Sequence, residues 1–244
     1  MKAKKLLLFL TSVILGLTTS CDNGDDYYYY NYASPNALVT VKHTADNVCY
    51  LQLDDSTTLF PTNLSRSPFG QKEVRALANL VMTGNGRDGF TQQAYINWID
   101  SIRTKDAVHA PADEAAYGND AVEIVKDWVS IAEDGYLTLR FRTRWGNSQT
   151  VHVLNLVSGA NPDGPYELTL HHEAYGDTLG NWGDALIAFK LNNLPDTQGK
   201  TVKLTLKWNS FSGMKSTQFN YCSRRSSGNT DLNLGDRSYF TRVK

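Results

Sequence analysis

From residue 37 onward the chain alternates apolar and polar side chains with a period of two, and turn-forming residues cut the alternation at short intervals. Successive side chains of a strand point to opposite faces, so this period marks sheets with one face in a core. Ala37 to His43 ends at Thr44-Ala45-Asp46-Asn47, and Val48 to Leu53 and Thr57 to Phe60 flank Asp54-Asp55-Ser56. Pro61 blocks continuation as a central strand, and residues 65–70, with Pro68 and Gly70, read as loop. Glu73 to Thr83 is a long strand that Gly84-Asn85-Gly86-Arg87-Asp88-Gly89 turns into Phe90 to Arg103. Five strands in so short a stretch, with one long bent pair, predict a small OB-like Greek-key barrel over 36–105. No amphipathic helix separates the strands, which argues against a parallel α/β sheet.

Residues 106–119 change character. Pro111, Gly118 and several Ala and acidic residues there read as a linker with one helical turn from Asp113 to Tyr117. Alternation then resumes with Ala121 to Ile131 and a turn at Glu133-Asp134-Gly135. Leu137, Leu139 and Phe141 next face one way, while Thr138, Arg140, Arg142 and Arg144 face the other. Thr150 to Val157 follows, then a strand with Tyr166, Leu168, Leu170 and His172 on one face. Ala185 to Leu191, Thr201 to Trp208, Gln218 to Cys222 and Ser238 to Val243 complete the set, and residues 177–184 read as loop. This spacing predicts a β-sandwich over 120–244. The expected fold class is all-β: a small OB-like barrel followed by an antiparallel β-sandwich.

The first 20 residues read as a secretory signal. Lys2, Lys4 and Lys5 precede an apolar run from Leu6 to Leu17, and the small residues Thr18, Thr19 and Ser20 precede Cys21. The run is shorter than the roughly 20 residues of a membrane-spanning helix. Small residues before a cysteine resemble the lipobox of bacterial lipoproteins, which implies lipid attachment at Cys21. Asp22-Asn23-Gly24-Asp25-Asp26 resembles the acidic stretch behind the lipid cysteine of surface-exported lipoproteins of Bacteroidota. Residues 21–35, including Tyr27 to Tyr30, read as a flexible tether. The expected location is therefore the outer membrane, lipid-anchored, with the acidic stretch pointing to the cell surface and a periplasmic orientation left open by the sequence; the membrane is reached through that anchor. Without the signal the chain carries 21 basic and 25 acidic residues, a balance of −4. That balance, with no long basic run, argues against nucleic acid as a partner. Cys49 and Cys222 remain, and their strand contexts, one apolar and one polar, suggest separate thiols.

These features together resemble the NigD-like lipoproteins of Bacteroidota. Beside the lipid cysteine and its acidic tail, the resemblance is carried by the segments from Leu51 to Pro61, Ala121 to Val129, Tyr136 to Phe141, His172 to Asp177 and Gly199 to Leu204. It implies an N-terminal OB-like domain and a C-terminal β-sandwich. The family's association with a bacteriocin cluster implies an immunity role as the alternative to a general binding role.

No catalytic signature appears. His171-His172-Glu173 is a His cluster, yet neighbours in a strand face opposite ways, and a third metal ligand is not visible. His172, on the Leu168–Leu170 face, reads as a core histidine. Asp177, Asn181 and Asp184 lack the spacing of a calcium loop, and Asp54-Asp55 fits a turn. Gly84-x-Gly86-x-x-Gly89 has no helix behind it to cradle a phosphate. No cofactor and no catalytic residue is expected, and a buried acid with a strongly raised pKa in a cleft is what would point back to hydrolysis. Trp145, Trp182 and Trp208 are the candidate ligand-face aromatics, and Arg140, Arg142 and Arg144 could meet anions. The expectation is a non-enzymatic envelope module that binds a protein or glycan partner.

Overall fold

The computed structural model describes residues 34–111 and 113–224. The signal segment, Cys21, residues 21–33 of the tether and the strand expected at Ser238 to Val243 lie outside them. Strands β1 (Ala37–His43), β2 (Cys49–Gln52), β3 (Thr58–Pro61), β4 (Val74–Asn85) and β5 (Gln92–Ser101) close into a barrel in the order β1-β2-β3-β5-β4. β3 and β5 pair in parallel while the other neighbours are antiparallel. The long β4–β5 pair shifts register at Asn79/Leu80 and again at Met82/Gly84. Such irregularities bend a strand pair and help the sheet close. Val39, Val41, Leu51, Leu59, Ala76, Ala78 and Ala94 fill the interior. Cys49 and Cys222 are both free.

Ten further strands build the sandwich: β6 (Arg103–Asp106), β7 (Val108–His109), β8 (Glu123–Val125), β9 (Ile131–Glu133), β10 (Tyr136–Trp145), β11 (Val153–Ser158), β12 (Glu167–Glu173), β13 (Asn181–Lys190), β14 (Val202–Ser210) and β15 (Gly213–Tyr221). One sheet runs β6-β13-β10-β8, with β9 also on β10, and the other runs β15-β14-β12-β11-β7. Leu137, Leu139, Leu156, Leu168, Phe189, Leu204 and Leu206, from both sheets, are wholly buried between them. The sheets are mostly antiparallel, but β6 with β13, β7 with β11 and β12 with β14 run parallel.

Three local readings change and one holds. Residues 103–109, read as the end of the barrel and the start of the linker, instead supply β6 to one sheet of the sandwich and β7 to the other. Segments this short carry too little period to announce burial. The helical turn is present as a 3₁₀ turn, Glu114–Tyr117, capped by the Asp113 carboxylate. Ala121 to Ile131 is two short strands with a turn at Asp127 between them, not one. β13 begins at Asn181, not Ala185, because its first residues pair with the end of β10, Trp145 opposite Asn181.

β1 is buried on both faces. Val39 and Val41 point into the barrel, while Leu38 packs with Ile102, Val129, Tyr136 and Ala188 at the junction with the sandwich. The same outer face carries charge. Arg75 on β4, opposite Thr40 in register, is fully buried; it donates to Thr40 Oγ1 at 3.0 Å, to Thr138 Oγ1 at 3.3 Å and to Glu133. Lys42 meets Asp134 at 2.6 Å, and Arg224 donates to Glu73 at 2.8 Å and to the Asp134 carbonyl at 2.6 Å. The Tyr136 hydroxyl donates to Glu73 at 2.5 Å. Asp134 and Gly135 both adopt positive φ, 49° and 73°. That pair of angles is what a two-residue hairpin turn needs between twisted strands. The β9–β10 turn thereby lays Asp134 against the barrel.

Candidate functional site

β10 runs from this junction to the other end of the sandwich, about 30 Å at 3.3 Å per residue. There the β10–β11 turn, the β12–β13 loop and the β14–β15 hairpin converge. The Asp177 carboxylate accepts from the backbone amides of Gly146 at 2.9 Å and Asn147 at 3.1 Å, tying the first two together. Trp182 meets Phe211 edge-on with ring centres 4.7 Å apart, tying in the third. Eight large apolar residues are exposed among the described residues, and six of them lie here: Val151, Tyr175, Leu179, Trp182, Phe211 and Met214. Leu179 is 79% exposed and Trp182 is 49% exposed. Isolated exposed apolar residues need no explanation, whereas a gathering of them marks an interaction surface.

The three expected aromatics separate. Trp182 presents a ring to solvent, with the Arg144 guanidinium 4.4 Å from its centre. Trp145 is half-buried; its indole N–H donates to the Gly183 carbonyl at 3.1 Å and its ring stacks on His152 at 4.2 Å. Only a glycine fits at 183, since a Cβ there would lie 2.5 Å from the Trp145 ring. Trp208 is a correction. At 3% exposure it belongs to the core, because its strand position faces between the sheets with Leu204 and Leu206. It presents no face to a ligand.

Beneath the exposed residues lies a buried polar chain. His172 is 1% exposed, and its Nδ1 lies 3.2 Å from the Ala121 carbonyl oxygen. Its Nε2 lies 3.0 Å from His152 Nδ1, and His152 Nε2 lies 3.2 Å from Asp177 Oδ2. The strands put the rings together: Leu154 is opposite His172 in register, and His152 stands two residues before Leu154 on the same face. Burial and the neighbouring His152 lower the pKa of His172. Hydrogen bonds from the Asn147 amide first, then from His152 and the Gly146 amide, hold the Asp177 carboxyl below its ordinary range. His172 is thus the core histidine its strand face suggests, and His171 faces the other way, 3.0 Å from the Gly118 carbonyl. Nothing in the spacing flagged His152, whose partners stand 20 and 25 residues away.

The remaining candidates are occupied by structure. Arg140 and Arg142 both donate to Asp184, and Arg140 also to Asp127, so these arginines are tied to the protein's own acids. Asp54 accepts from the amides of Ser56 and Thr57 and from the Ser56 hydroxyl, which is turn chemistry. Among the described residues no three His, Cys, Asp or Glu side chains gather where a metal could be held. One buried acid does have a strongly raised pKa: desolvation pushes Glu133 up to about 7 against the pull of Arg75. It borders a cleft with Asp54, Asp55 and Ser56 at the junction. Its partner there is the Arg75 guanidinium, a structural cation, and the hydroxyl–carboxylate contact of the same cleft, Ser56 with Asp54, belongs to a turn.

Two family models match the chain: the NigD-like N-terminal OB domain over residues 38–102 and the NigD-like C-terminal beta sandwich domain over 105–221. A solved structure of a protein described as toxin-related, from Parabacteroides distasonis, is 33% identical, with a TM-score of 0.60 over 77% of this chain and 92% of that one. A protein of unknown function from Bacteroides vulgatus is 22% identical, with a TM-score of 0.62 over 82% and 94%. A NigD-like immunity protein from Bacteroides caccae is 21% identical, with a TM-score of 0.53 over 76% and 95%. The last two likenesses establish the fold alone. No curated protein matches the chain.

Proposed function

Because the chain belongs to the NigD-like family, an OB domain followed by a β-sandwich, we propose that it serves as a non-enzymatic binding module of the cell envelope. In this reading it is held to the outer membrane by a lipid on Cys21 and displayed at the cell surface. It engages a protein or glycan partner with the far end of its sandwich. No helix among the described residues is long and apolar enough to cross a membrane. The observation that carries the binding reading is the gathering of Leu179, Trp182, Phe211, Met214, Val151 and Tyr175 at one end. Its test compares wild type with a Leu179→Ser/Phe211→Ser double variant on glycan arrays and in pull-downs from envelope extracts. Loss of retention by about tenfold or more is expected, since exposed aromatic and aliphatic anchors dominate such surfaces. Equal retention by both proteins, or none by either, rejects the reading. Palmitate labelling with a Cys21→Ser control tests the anchor.

A second reading is bacteriocin immunity, supported by the fold-level likeness to a structure described as a NigD-like immunity protein. Deleting the gene should then sensitise the cell to a toxin encoded nearby, and unchanged sensitivity counts against it.

A further inference from the structure

The buried chain from Asp177 through His152 and His172 to the Ala121 carbonyl has a proton count that its geometry fixes. A carbonyl oxygen only accepts, so His172 carries a proton on Nδ1. The 3.0 Å contact between His172 Nε2 and His152 Nδ1 needs one proton between the two nitrogens. The 3.2 Å contact between His152 Nε2 and Asp177 Oδ2 needs another. Three protons are required, and two neutral imidazoles with a carboxylate bring two. With only two, either the His152 lone pair faces the Asp177 carboxylate or two imidazole lone pairs face each other.

We infer that Asp177, His152 and His172 form a proton-operated latch, in which one extra proton shared by the chain locks the β12–β13 loop to the β10–β11 turn and its loss frees them. The extra proton makes His152 an imidazolium against the Asp177 carboxylate, so the latch is neutral overall when closed. Raising the pH removes that proton and sets like-signed electron density face to face in a buried site. The same carboxylate holds the Gly146 and Asn147 amides, so its displacement moves both loops. A fourth proton is opposed, because it would set two imidazolium N–H groups against each other; burial, which disfavours the charged form of His172, acts in the same sense. The charged and titratable groups around the latch are few. Asp120 acts on His172 from the segment before β8 and is itself engaged by the Ala174 amide. On β12, Glu173 accepts from the Tyr175 amide and His171 faces the Gly118 carbonyl. On β10, Thr143 donates to the Ala121 carbonyl, Trp145 covers His152, and Arg144 lies over Trp182. The Gly146 and Asn147 amides remain on the Asp177 oxygens, and none of these side chains replaces the imidazolium donor.

Val151 precedes His152, and Tyr175 and Leu179 stand two residues either side of Asp177, so proton loss loosens the surface that carries the binding reading, although the proton count stands whether or not that reading holds. The test is a pH series from about 5 to about 9 on the full chain, following imidazole nitrogens by NMR. Closed, His152 should show two protonated nitrogens and His172 an Nδ1–H tautomer. As His152 loses its second proton, the Trp145 and Trp182 indole signals should shift with the same midpoint. Amide exchange at Gly146 and Asn147 should rise about tenfold beyond the base-catalysed trend. Asp177→Asn removes the carboxylate that calls for the extra proton, and should abolish that titration in the folded protein. His152 with one N–H at every pH overturns the inference, and so do unchanged amides and indoles through its titration. Both refuting readouts come from wild type, so a variant that fails to fold does not shelter the proposal. A partner that binds equally at both pH extremes while the latch titrates would count against loosening of the binding surface, leaving the binding reading intact.

Discussion

At the barrel end of β10 the buried polar groups are ion pairs built around guanidiniums, and at the other end they are imidazoles. The junction pairs Arg75 with Glu133, Lys42 with Asp134 and Arg224 with Glu73, and a guanidinium cannot shed its charge at any pH a protein survives. The far end joins His152, His172 and Asp177, where burial favours the neutral form of His172 and hydrogen bonds favour the ionised form of Asp177. One strand thus links a lock to an adjustable end. The consequence is a division of labour: the junction fixes how barrel and sandwich dock, while the loops that expose Leu179 and Trp182 are tied by Asp177 to the Gly146 and Asn147 amides and by Trp182 to Phe211.

The largest effect is expected from removing the anion that faces Arg75. Glu133→Leu leaves the wholly buried Arg75 guanidinium without its anion. At about pH 8 this should cost roughly 3–5 kcal/mol in denaturant unfolding, the range for a buried pair broken from one side. Arg75→Met should cost less, about 1–3 kcal/mol, because the orphaned Glu133 can take a proton where an arginine cannot lose one. Equal costs would show that the junction does not depend on the charge of Arg75.

The pH dependence has a definite sign. Burial raises the Glu133 carboxyl from its ordinary 4.5 to about 7, so between those values the native state holds a proton that the unfolded chain has released. Stability from this group is therefore present at the acid side and falls as pH rises through that window. Glu133→Gln should flatten the slope of global stability against pH there. It should leave untouched any pH response of the Gly146 and Asn147 amides, which report the far end. A slope that survives the substitution would place the titrating group elsewhere.

At the adjustable end, Gly183→Ala puts a Cβ 2.5 Å from the Trp145 ring and forces that ring off His152. Overpacking of this kind costs roughly 1–3 kcal/mol. Trp145 fluorescence should change along with stability, whereas the Tyr136 and Arg75 environment should not. If the spectrum stays fixed, the ring has slack that the packing does not suggest.

The two ends were also unequally legible in the sequence. The strands with long runs, such as Leu137, Leu139 and Phe141 against Arg140 and Arg142, announced themselves because one face is buried and the other wet. The turn at Asp134-Gly135 was readable from turn chemistry alone. Arg75 was not, because a charged residue inside an alternating strand reads as the solvent face, and here that face is covered by a second domain. His152 and Asp177 were unreadable as a pair for a related reason. Their meeting depends on register between β11 and β12 and on a loop returning over the end of the sandwich. Trp208 was misplaced because aromatic type alone does not say which way a strand residue points.

The smallest expected effect lies on the outer face of β10, between the two ends. Asp184 accepts from Arg140 at 2.6 Å and also from Arg142, and the two arginine side chains are 40% and 48% exposed. The arginines hold the Asp184 carboxyl below the usual range, Arg142 foremost. Solvent and salt screen such pairs, so Asp184→Asn should cost under about 1 kcal/mol at neutral pH, and less as salt rises. The lowered carboxyl pKa gives the wild type a contribution present above the ordinary carboxylate range and lost on acidification, so the difference between the two proteins should vanish at low pH. A cost as large as that of Glu133→Leu would mean that the exposed face of β10 also fixes the structure, and the contrast between its two ends would lose its meaning.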